Sequence, residues 1–335
     1  MTRFQRIAVT AFICLEALIF IGAAVRATGS GLGCPDWPFC YGRMIPPTSA
    51  DQIDFTKLNI EKFKKKAAQH GRDPATITPE LLRAEFDPVA TWIEYGNRLS
   101  SLPISLSVLV MLIASFWQPA RSARWAAFAA FVLLLVNAWL GARVVLSGLQ
   151  PGTITLHMAL AILMQCVIVF AAWRGCDQPW RFDTTHPSIK LAGALFFLVV
   201  IEGIMGSQVR ELTDELARVH TGQPRPTWVA ELEQSWVYLA HRSFSWLIVG
   251  TAILFYRKAS QTTWLEKSIV GLVFAQMFLG IVLARVGILA VAQILHIGLS
   301  SLLVSGLFLW LLASRRARSS ALTSSPRLMA GTASR

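Results

Sequence analysis

Eight long apolar runs, separated by shorter polar segments, dominate the pattern of hydrophobic and polar positions along this chain. Each run is long enough for an α-helix to cross the hydrocarbon core of a bilayer. The pattern predicts membrane-spanning helices near 8–27, 94–117, 124–146, 153–174, 188–209, 236–257, 264–285 and 289–313. The first run ends at Val25-Arg26 without the cleavage pattern of a signal peptide, so we expect it to remain a helix of the protein.

The second set of four spans repeats features of the first set. Gly141 precedes His157 by 16 positions, and Gly280 precedes His296 by the same 16 positions. Because each half contains an even number of spans, the halves should share one orientation and be related by a pseudo-twofold axis along the membrane normal. The predicted fold is therefore an all-α integral membrane protein of eight helices, arranged as two parallel four-helix-bundle repeats.

The repeat also predicts the boundaries of the domains. The N-terminal half covers 1–175 and includes a long outer loop at 28–91, and the C-terminal half covers 176–318. Within the loop, the stretch 54–70 is rich in lysine and contains neither glycine nor proline, which predicts a helix. The Ser/Ala/Thr-rich tail 319–335 is predicted to be disordered on the cytoplasmic side.

The net charge of +12 suggests nucleic-acid binding at first, but the position of the charges argues against it. Outside the long loop, the basic residues cluster on one side of the predicted helices: Arg3, Arg6, Arg121, Arg124, Arg181, Lys190, Arg257, Lys258, Lys267, Arg315, Arg316 and Arg318. This positive-inside pattern predicts a multi-pass protein of the bacterial cytoplasmic (inner) membrane with both termini in the cytoplasm. Membrane lipid is the expected surrounding, and no nucleic acid is expected.

Two of the five cysteines, Cys34 and Cys40, share the outer loop. The two prolines between them, Pro35 and Pro38, bend this short segment, and the outer compartment is oxidising, so we predict a disulfide. A pair of free thiols, or a metal pair lacking its other ligands, remains the alternative.

Candidate chemistry lies in the outer turns of spans 2, 4, 6 and 8, at Asn97, His157, His241 and His296. Ionisable residues at membrane depth are costly and are usually functional, although a lone histidine can simply bond a neighbouring helix. Two imidazoles from facing helices can supply both axial ligands of a haem iron. Zinc would require about four ligands, so we predict a haem between His241 and His296.

Four arginines accompany these positions: Arg26, Arg98, Arg210 and Arg242. A guanidinium can form two charge-assisted hydrogen bonds with a carboxylate, so these arginines are candidates for binding haem propionates. The alternative is that they extend to the membrane interface, as arginines at helix ends commonly do.

Asn97 breaks the symmetry, because asparagine is a poor ligand for haem iron. A haem in the first half would depend on His157 and leave its other face open to a reacting group. Glu94 lies three positions before Asn97, on the same helical face, where the second half has Tyr238. Its carboxylate could relay protons or orient an intermediate, or it could pair with a nearby arginine at the interface.

From about residue 8 to 313 the chain resembles the haem A synthase family. The longest matching motif is Arg26-Ala27-Thr28-Gly29-Ser30-Gly31-Leu32-Gly33-Cys34-Pro35-Asp36-Trp37-Pro38-Phe39-Cys40-Tyr41-Gly42, continued by Ile45-Pro46-Pro47. Shorter matches in the spans are Glu94-Tyr95-Gly96-Asn97-Arg98, Thr155-Leu156-His157, His241-Arg242 and Gln293-Ile294-Leu295-His296.

The resemblance implies a membrane oxidoreductase that oxidises the C8 methyl of haem O to a formyl group, through two hydroxylations and loss of water from a gem-diol. It implies a haem B on His241 and His296, which passes electrons, and a substrate site with His157 and Glu94. It also maps the outer-loop cysteine pair of the family onto Cys34 and Cys40. Haem O synthase and a terminal oxidase are the implied partners.

The departure from the family pattern is Asn97, where histidine is most common, and it argues against two histidine ligands for the substrate haem. Two other functions fit the same residues. A di-haem electron-transfer cytochrome would need two bis-ligated haems, which Asn97 opposes. A haem transport or assembly factor would bind haem reversibly and would not need Glu94. Self-association of the chain is left open.

Overall fold

A computed structural model describes residues 1–69, 73–150, 152–220, 223–259 and 263–316 of this chain. The predicted disordered tail, 319–335, lies outside the described residues. In chain order the helices are α1 (Arg3–Ala27), α2 (Ile60–Gln69), α3 (Pro79–Ala84), α4 (Pro88–Leu99), α5 (Ser101–Ser115), α6 (Arg121–Leu146), α7 (Thr153–Arg174), α8 (His186–Val219), α9 (Val229–Gln234), α10 (Trp236–Lys258), α11 (Trp264–Arg285) and α12 (Ala290–Ala313).

Eight helical segments within the described ranges are long and apolar enough to cross a membrane, and they coincide with the eight predicted spans. The mostly helical, multi-pass membrane architecture predicted from the sequence is confirmed. Successive spans run in opposite directions. We call the end that carries the segment between α1 and α4 the loop end, and the opposite end, where α1 begins and α12 finishes, the terminal end.

Two spans differ in detail from the prediction. The second span consists of α4 and α5, which meet at Ser100, and Pro103 lies in the first turn of α5, where its missing N–H is tolerated. The fifth span was predicted to stop at 209, but α8 continues to Val219. The prediction stopped where the apolar run ends, which marks where the helix leaves the membrane. Residues 210–219 are more polar but contain no glycine or proline, so the helix continues through them.

The membrane-spanning helices form two groups, and within each group the helices pack side by side in a closed ring. We call each ring a circuit. In the first, α1 contacts α5 and α7, α5 contacts α6, and α6 contacts α7. In the second, α8 contacts α10 and α12, α10 contacts α11, and α11 contacts α12. The circuits meet mainly where α12 packs on α1 and α7. At one contact, the Phe20 ring occupies the space that a side chain on Gly298 would fill, since an added Cβ would lie 2.2 Å from that ring.

A small parallel sheet was not predicted. Strand β1 (Phe182–Thr184) in the linker between the circuits pairs with strand β2 (Ser314–Arg316), which directly follows α12. Arg315 Nε also donates to Asp183 Oδ1 at 2.7 Å. The pairing joins the linker to the end of the last span.

The predicted helix at 54–70 is shorter than expected, because α2 begins at Ile60. Before it, Asp54 accepts hydrogen bonds from Thr56, and this local turn competes with the helix. The final predicted residue of that helix, His70, lies outside the described residues. The loop also has a small core of its own, formed by Cys34, Cys40, Tyr41, Ile53 and Leu58.

Candidate haem sites

Asn97, His157, His241 and His296 all lie in the loop-end half of their membrane spans, which are formed by α4 with α5, by α7, by α10 and by α12. Each faces a glycine on a neighbouring helix. A Cβ added to the glycine would lie 4.0 Å from Asn97 Oδ1, and 3.3, 3.2 and 3.8 Å from Cε1 of the three histidines, in the order Gly22, Gly141, Gly206 and Gly280. The missing side chain lets each polar group lie close to the facing backbone.

The C-terminal pair of histidines, His241 and His296, lies close together. The ring centroids of His241 and His296 are 6.5 Å apart, and the ring planes are nearly perpendicular at 87°. Two imidazoles whose nitrogens each lie about 2 Å from one metal ion have centroids roughly 6 Å apart. The observed arrangement therefore fits two axial ligands of a single haem.

Buried polar atoms without a hydrogen-bond partner mark the same four positions within the described part of the chain. They are Asn97 Oδ1 and the Nδ1 atoms of His157, His241 and His296, although His241 Nδ1 also lies 3.2 Å from Glu202 Oε1, close enough for an ion pair when the ring is protonated. Native proteins rarely leave such atoms unsatisfied without a functional reason. The described residues contain no group of three or more His, Cys, Asp or Glu side chains that could hold a metal ion, so the donor set does not suit zinc.

Glu94, the candidate catalytic carboxylate, is only 3% exposed and is engaged on both of its oxygens. Its Oε1 pairs with Arg98 Nη2 at 2.6 Å, and its Oε2 accepts the backbone N–H of Cys34 at 2.7 Å. The pairing with an arginine that the sequence left open is thus present. The carboxylate connects α4 to the cysteine-containing loop, three residues from Asn97.

Arg98, a candidate for binding a haem propionate, also holds this loop. Its guanidinium donates to the backbone carbonyls of Cys34, Asp36 and Phe39 at 2.7–2.9 Å, in addition to the carboxylate of Glu94. These four carbonyl and carboxylate contacts of one guanidinium group are hard to foresee from sequence spacing alone, because they depend on how the loop folds.

The loop motif can be explained residue by residue. Gly33 packs backbone against backbone on α4, where an added Cβ would lie 2.3 Å from Ala90 O. Asp36 accepts the N–H groups of Tyr41 and Gly42, both at 2.7 Å, and so closes the turn. Burial, followed by the charge of Asp36, raises the pKa of Tyr41 to about 12, so its hydroxyl stays protonated.

The predicted disulfide is present between Cys34 and Cys40, with an S–S distance of 2.03 Å. Both cysteines are fully buried. The remaining cysteines, Cys14, Cys166 and Cys176, are free thiols.

The other candidate arginines have different surroundings. Arg26 and Arg210, at corresponding positions in the two halves, both pair with Asp214, at 3.1 and 2.8 Å. Arg210 also donates to the carbonyl of Arg26 at 3.2 Å. Arg242 is exposed and has no ion-pair or hydrogen-bond partner among the described residues. The pair around Asp214 therefore shows how these two guanidinium groups can share one carboxylate.

Sequence reasoning missed several polar residues around these positions. Glu202 of α8 lies with its Oε1 3.2 Å from His241 Nδ1 and accepts a hydrogen bond from Ser245 at 2.5 Å. Glu16 of α1 accepts from Ser301 at 2.7 Å and from Gln165, and so joins three helices. The available signal was a carboxylate within an apolar span, which at membrane depth usually has a function.

Glu211, in the unpredicted extension of α8, stabilises the start of the helix that carries His157. Its carboxylate accepts the N–H of Gly152 at 3.2 Å and the hydroxyl of Thr155 at 2.9 Å. A carboxylate at a helix N-terminus satisfies free N–H groups and interacts favourably with the helix dipole. The C-terminal half thereby helps to position a site residue of the N-terminal half.

Comparison with known proteins places the chain in a family. The curated protein "Heme A synthase" of Brucella ovis is 28% identical over 323 residues, covering 86% of this chain and 84% of that protein. The same-named protein of Bartonella bacilliformis is 24% identical over 312 residues, covering 84% and 80%. These relatives confirm the resemblance predicted from the motifs. Because the profile of a cytochrome oxidase assembly protein family matches residues 5–308, the chain belongs to the COX15-CtaA family.

Proposed function

We propose that this chain is a haem A synthase, which oxidises the C8 methyl of haem O to a formyl group in the cytoplasmic (inner) membrane. The observation that carries the proposal is the asymmetry between its two candidate sites. His241 and His296 face each other at 6.5 Å, whereas Asn97 stands at the position that would complete a pair with His157. Two axial ligands suit electron transfer, whereas an open face suits a reacting molecule.

In this proposal the chain is two four-helix-bundle repeats with separate tasks. The C-terminal half, 176–318, holds haem B through His241 and His296. When bound, this haem would supply one-electron transfer. The N-terminal half, 1–175, binds the substrate. Support comes from the two closed circuits of helix contacts and from the four glycine-facing polar positions.

His157 would hold haem O through its iron, with the apolar tail of the substrate in the lipid. Glu94 remains the candidate carboxylate of this half. Arg98 and the N–H of Cys34 occupy both oxygens of Glu94. To accept a proton or to contact the substrate, the carboxylate would have to exchange one of these partners for the substrate. Its first contribution is therefore to keep the disulfide loop against α4, close to Asn97.

The arginines are proposed to bind haem propionates. Nε of Arg210 and Nε of Arg98 are buried without a partner in the described ranges, and so each retains a donor. Arg26 shares Asp214 with Arg210, and a propionate could join that ion cluster. Arg242 is exposed and can reorient toward a propionate in the C-terminal half.

The overall change at the methyl carbon is a four-electron oxidation: with water as the oxygen source, four protons and four electrons are released and need an external acceptor, whereas with dioxygen each hydroxylation takes up two electrons and two protons from an external donor and releases one water. Each of two hydroxylations replaces a C–H bond by a C–OH bond, and the gem-diol then loses water. The resident haem would exchange electrons with an external donor or acceptor. A haem O synthase would supply the substrate, and a terminal oxidase would receive the product.

The first test is chromatography and mass spectrometry of haems extracted from a host that makes haem O but no haem A, with and without the chain. We expect haem A or its hydroxylated precursor only when the chain is present. The matched variant is His157→Ala, which should stop product formation while the haem on His241 and His296 remains.

Unchanged haem O beside a folded, haem-loaded protein would contradict the proposal. If both halves then showed low-spin haem, the electron-transfer cytochrome would be favoured. If haem were bound only transiently, the transport or assembly factor would be favoured.

A further inference from the structure

Each of the four glycines that face a site residue is preceded by a characteristic side chain one helical turn earlier. Residues four positions apart lie on the same face of a helix, so each of these side chains lies on the same face as its glycine. The residues are Leu18 before Gly22, Asn137 before Gly141, Glu202 before Gly206 and Gln276 before Gly280.

Three of these side chains are polar, and they are the three that precede a glycine facing a histidine. The fourth, Leu18, precedes Gly22, which faces Asn97, a residue with no ring N–H to bond. This match between polar neighbour and imidazole holds at all four positions. Within apolar helices a polar residue is costly, so three coincidences with the three histidines call for a physical reason.

Unsatisfied atoms complete the pattern. Among the described residues, Asn137 Oδ1, Gln276 Nε2 and Glu202 Oε2 are buried without a hydrogen-bond partner, and so are the Nδ1 atoms of His157 and His296. The backbone carbonyl of Asn137 is itself a hydrogen-bond acceptor for the His157 ring, so Asn137 offers this ring two acceptors, its carbonyl and its side-chain Oδ1. A half-turn of a terminal amide exchanges its oxygen and nitrogen, so Gln276 can present an acceptor as readily as a donor.

Glu202 shows the contact most directly, with Oε1 3.2 Å from His241 Nδ1. Among the described residues this carboxylate contacts His241 and Ser245, neither of which is a permanent cation. An isolated charge at this depth is strongly unfavourable, because it loses its hydration. A ferric haem bound to His241 would supply the missing positive charge.

We infer that Asn137, Glu202 and Gln276 are positioning residues, which accept the Nδ1 proton of His157, His241 and His296 and so direct each Nε2 toward haem iron. Hydrogen bonding of the second ring nitrogen fixes the tautomer and orientation of a ligating histidine and increases its basicity. Because Glu202 is charged, His241 becomes the most basic of the three imidazole ligands, and it donates most electron density to the iron. This stabilises the oxidised form of the cofactor haem. The inference rests on the proposed function for the haem itself.

The test is a redox titration and an electron paramagnetic resonance spectrum of the purified, haem-loaded full chain. Glu202→Gln keeps the shape of the side chain and removes its charge. We expect the ratio of reduced to oxidised haem, at a fixed ambient potential, to rise by about tenfold, which is about 59 mV for a one-electron couple. The low-spin signal should shift toward that of a neutral imidazole.

Two further variants keep the test decisive if Glu202→Gln folds poorly. Glu202→Asp should recover part of the wild-type ratio, because it restores the charge. Gln276→Glu should change the ratio in the opposite direction, since it places a carboxylate beside His296. Glu16→Gln is the control, because Glu16 is also a buried carboxylate in a span but is bonded to Gln165 and Ser301. Its ratio should stay at the wild-type value.

The outcomes separate this inference from the proposed function. Wild-type protein without a low-spin haem would overturn both. A low-spin haem whose ratio and spectrum are the same in wild type, Glu202→Gln and Gln276→Glu would overturn the inference alone. Equal shifts in Glu16→Gln and Glu202→Gln would also overturn it, because a general loss of charge would then explain the change.

Discussion

In each half of the molecule an arginine directly follows the site residue of the second span, and the two arginines have different surroundings. Arg98, after Asn97, is buried among loop carbonyls and Glu94, whereas Arg242, after His241, is exposed and has no partner within the described ranges. The same sequence feature thus holds a folded loop in one half and stays available in the other. Position in a repeat indicates where a side chain starts, but its neighbours determine what it does.

The largest expected difference between the halves is in stability. Arg98→Gln leaves the buried carboxylate of Glu94 without its charged partner, which typically costs about 3–5 kcal/mol. Arg242→Gln should change the free energy of unfolding by less than about 0.5 kcal/mol, as expected for an exposed side chain. Thermal unfolding in detergent and proteolysis of the loop measure the difference. Equal behaviour of the two variants would mean that the loop contacts contribute little.

The two halves should also differ in how their haem binding responds to removal of a site residue. Loss of a hydrogen-bond partner of a metal ligand already reduces metal affinity by about 10–100-fold, and loss of the ligand should cost at least as much. We expect His241→Ala to abolish the low-spin spectrum of the C-terminal site. Asn97→Ala should keep it. Optical spectra of the purified variants decide, and a normal low-spin signal in His241→Ala would exclude this residue as a ligand.

The disulfide also distinguishes the two halves, since the corresponding segment of the C-terminal half, 210–235, contains no cysteine. Cys34 and Cys40 are 6 positions apart, and closing so short a loop stabilises a protein by about 2 kcal/mol. Cys34→Ser should lower the unfolding free energy by about that amount. Cys176→Ser, which changes a free thiol, serves as the control. A reducing agent that destabilised wild type and Cys34→Ser equally would speak against this effect.

The smallest predicted effect concerns the glycines that face the site residues. Gly206→Ala places a Cβ 3.2 Å from His241 Cε1 and should destabilise the protein by about 1 kcal/mol, as overpacking does. Gly203→Ala, on the same helix, meets open space and should stabilise by about 0.5–1 kcal/mol. Thermal unfolding and the haem spectrum follow both variants. Shifts of the same sign would show that close approach to His241 is unimportant.

The sequence alone determined the eight spans, the family and the disulfide pair. Long apolar runs have no stable alternative to spanning helices, because lipid cannot satisfy a free backbone, and so composition nearly fixes this level of structure. The family motif and the two cysteines of one short loop are likewise local in sequence. The histidines were also visible, since ionisable residues stand out within apolar runs.

Which side chains contact one another depends on the tertiary structure and could not be predicted from the sequence. The contact of Glu202 with His241, the capture of Arg98 by loop carbonyls and the sharing of Asp214 by Arg26 and Arg210 join positions far apart in the chain. Helix periodicity gives the face of a residue but not the partner opposite it. That partner depends on the packing of neighbouring helices, where a glycine rather than a larger residue sets how closely two backbones and a ring can approach.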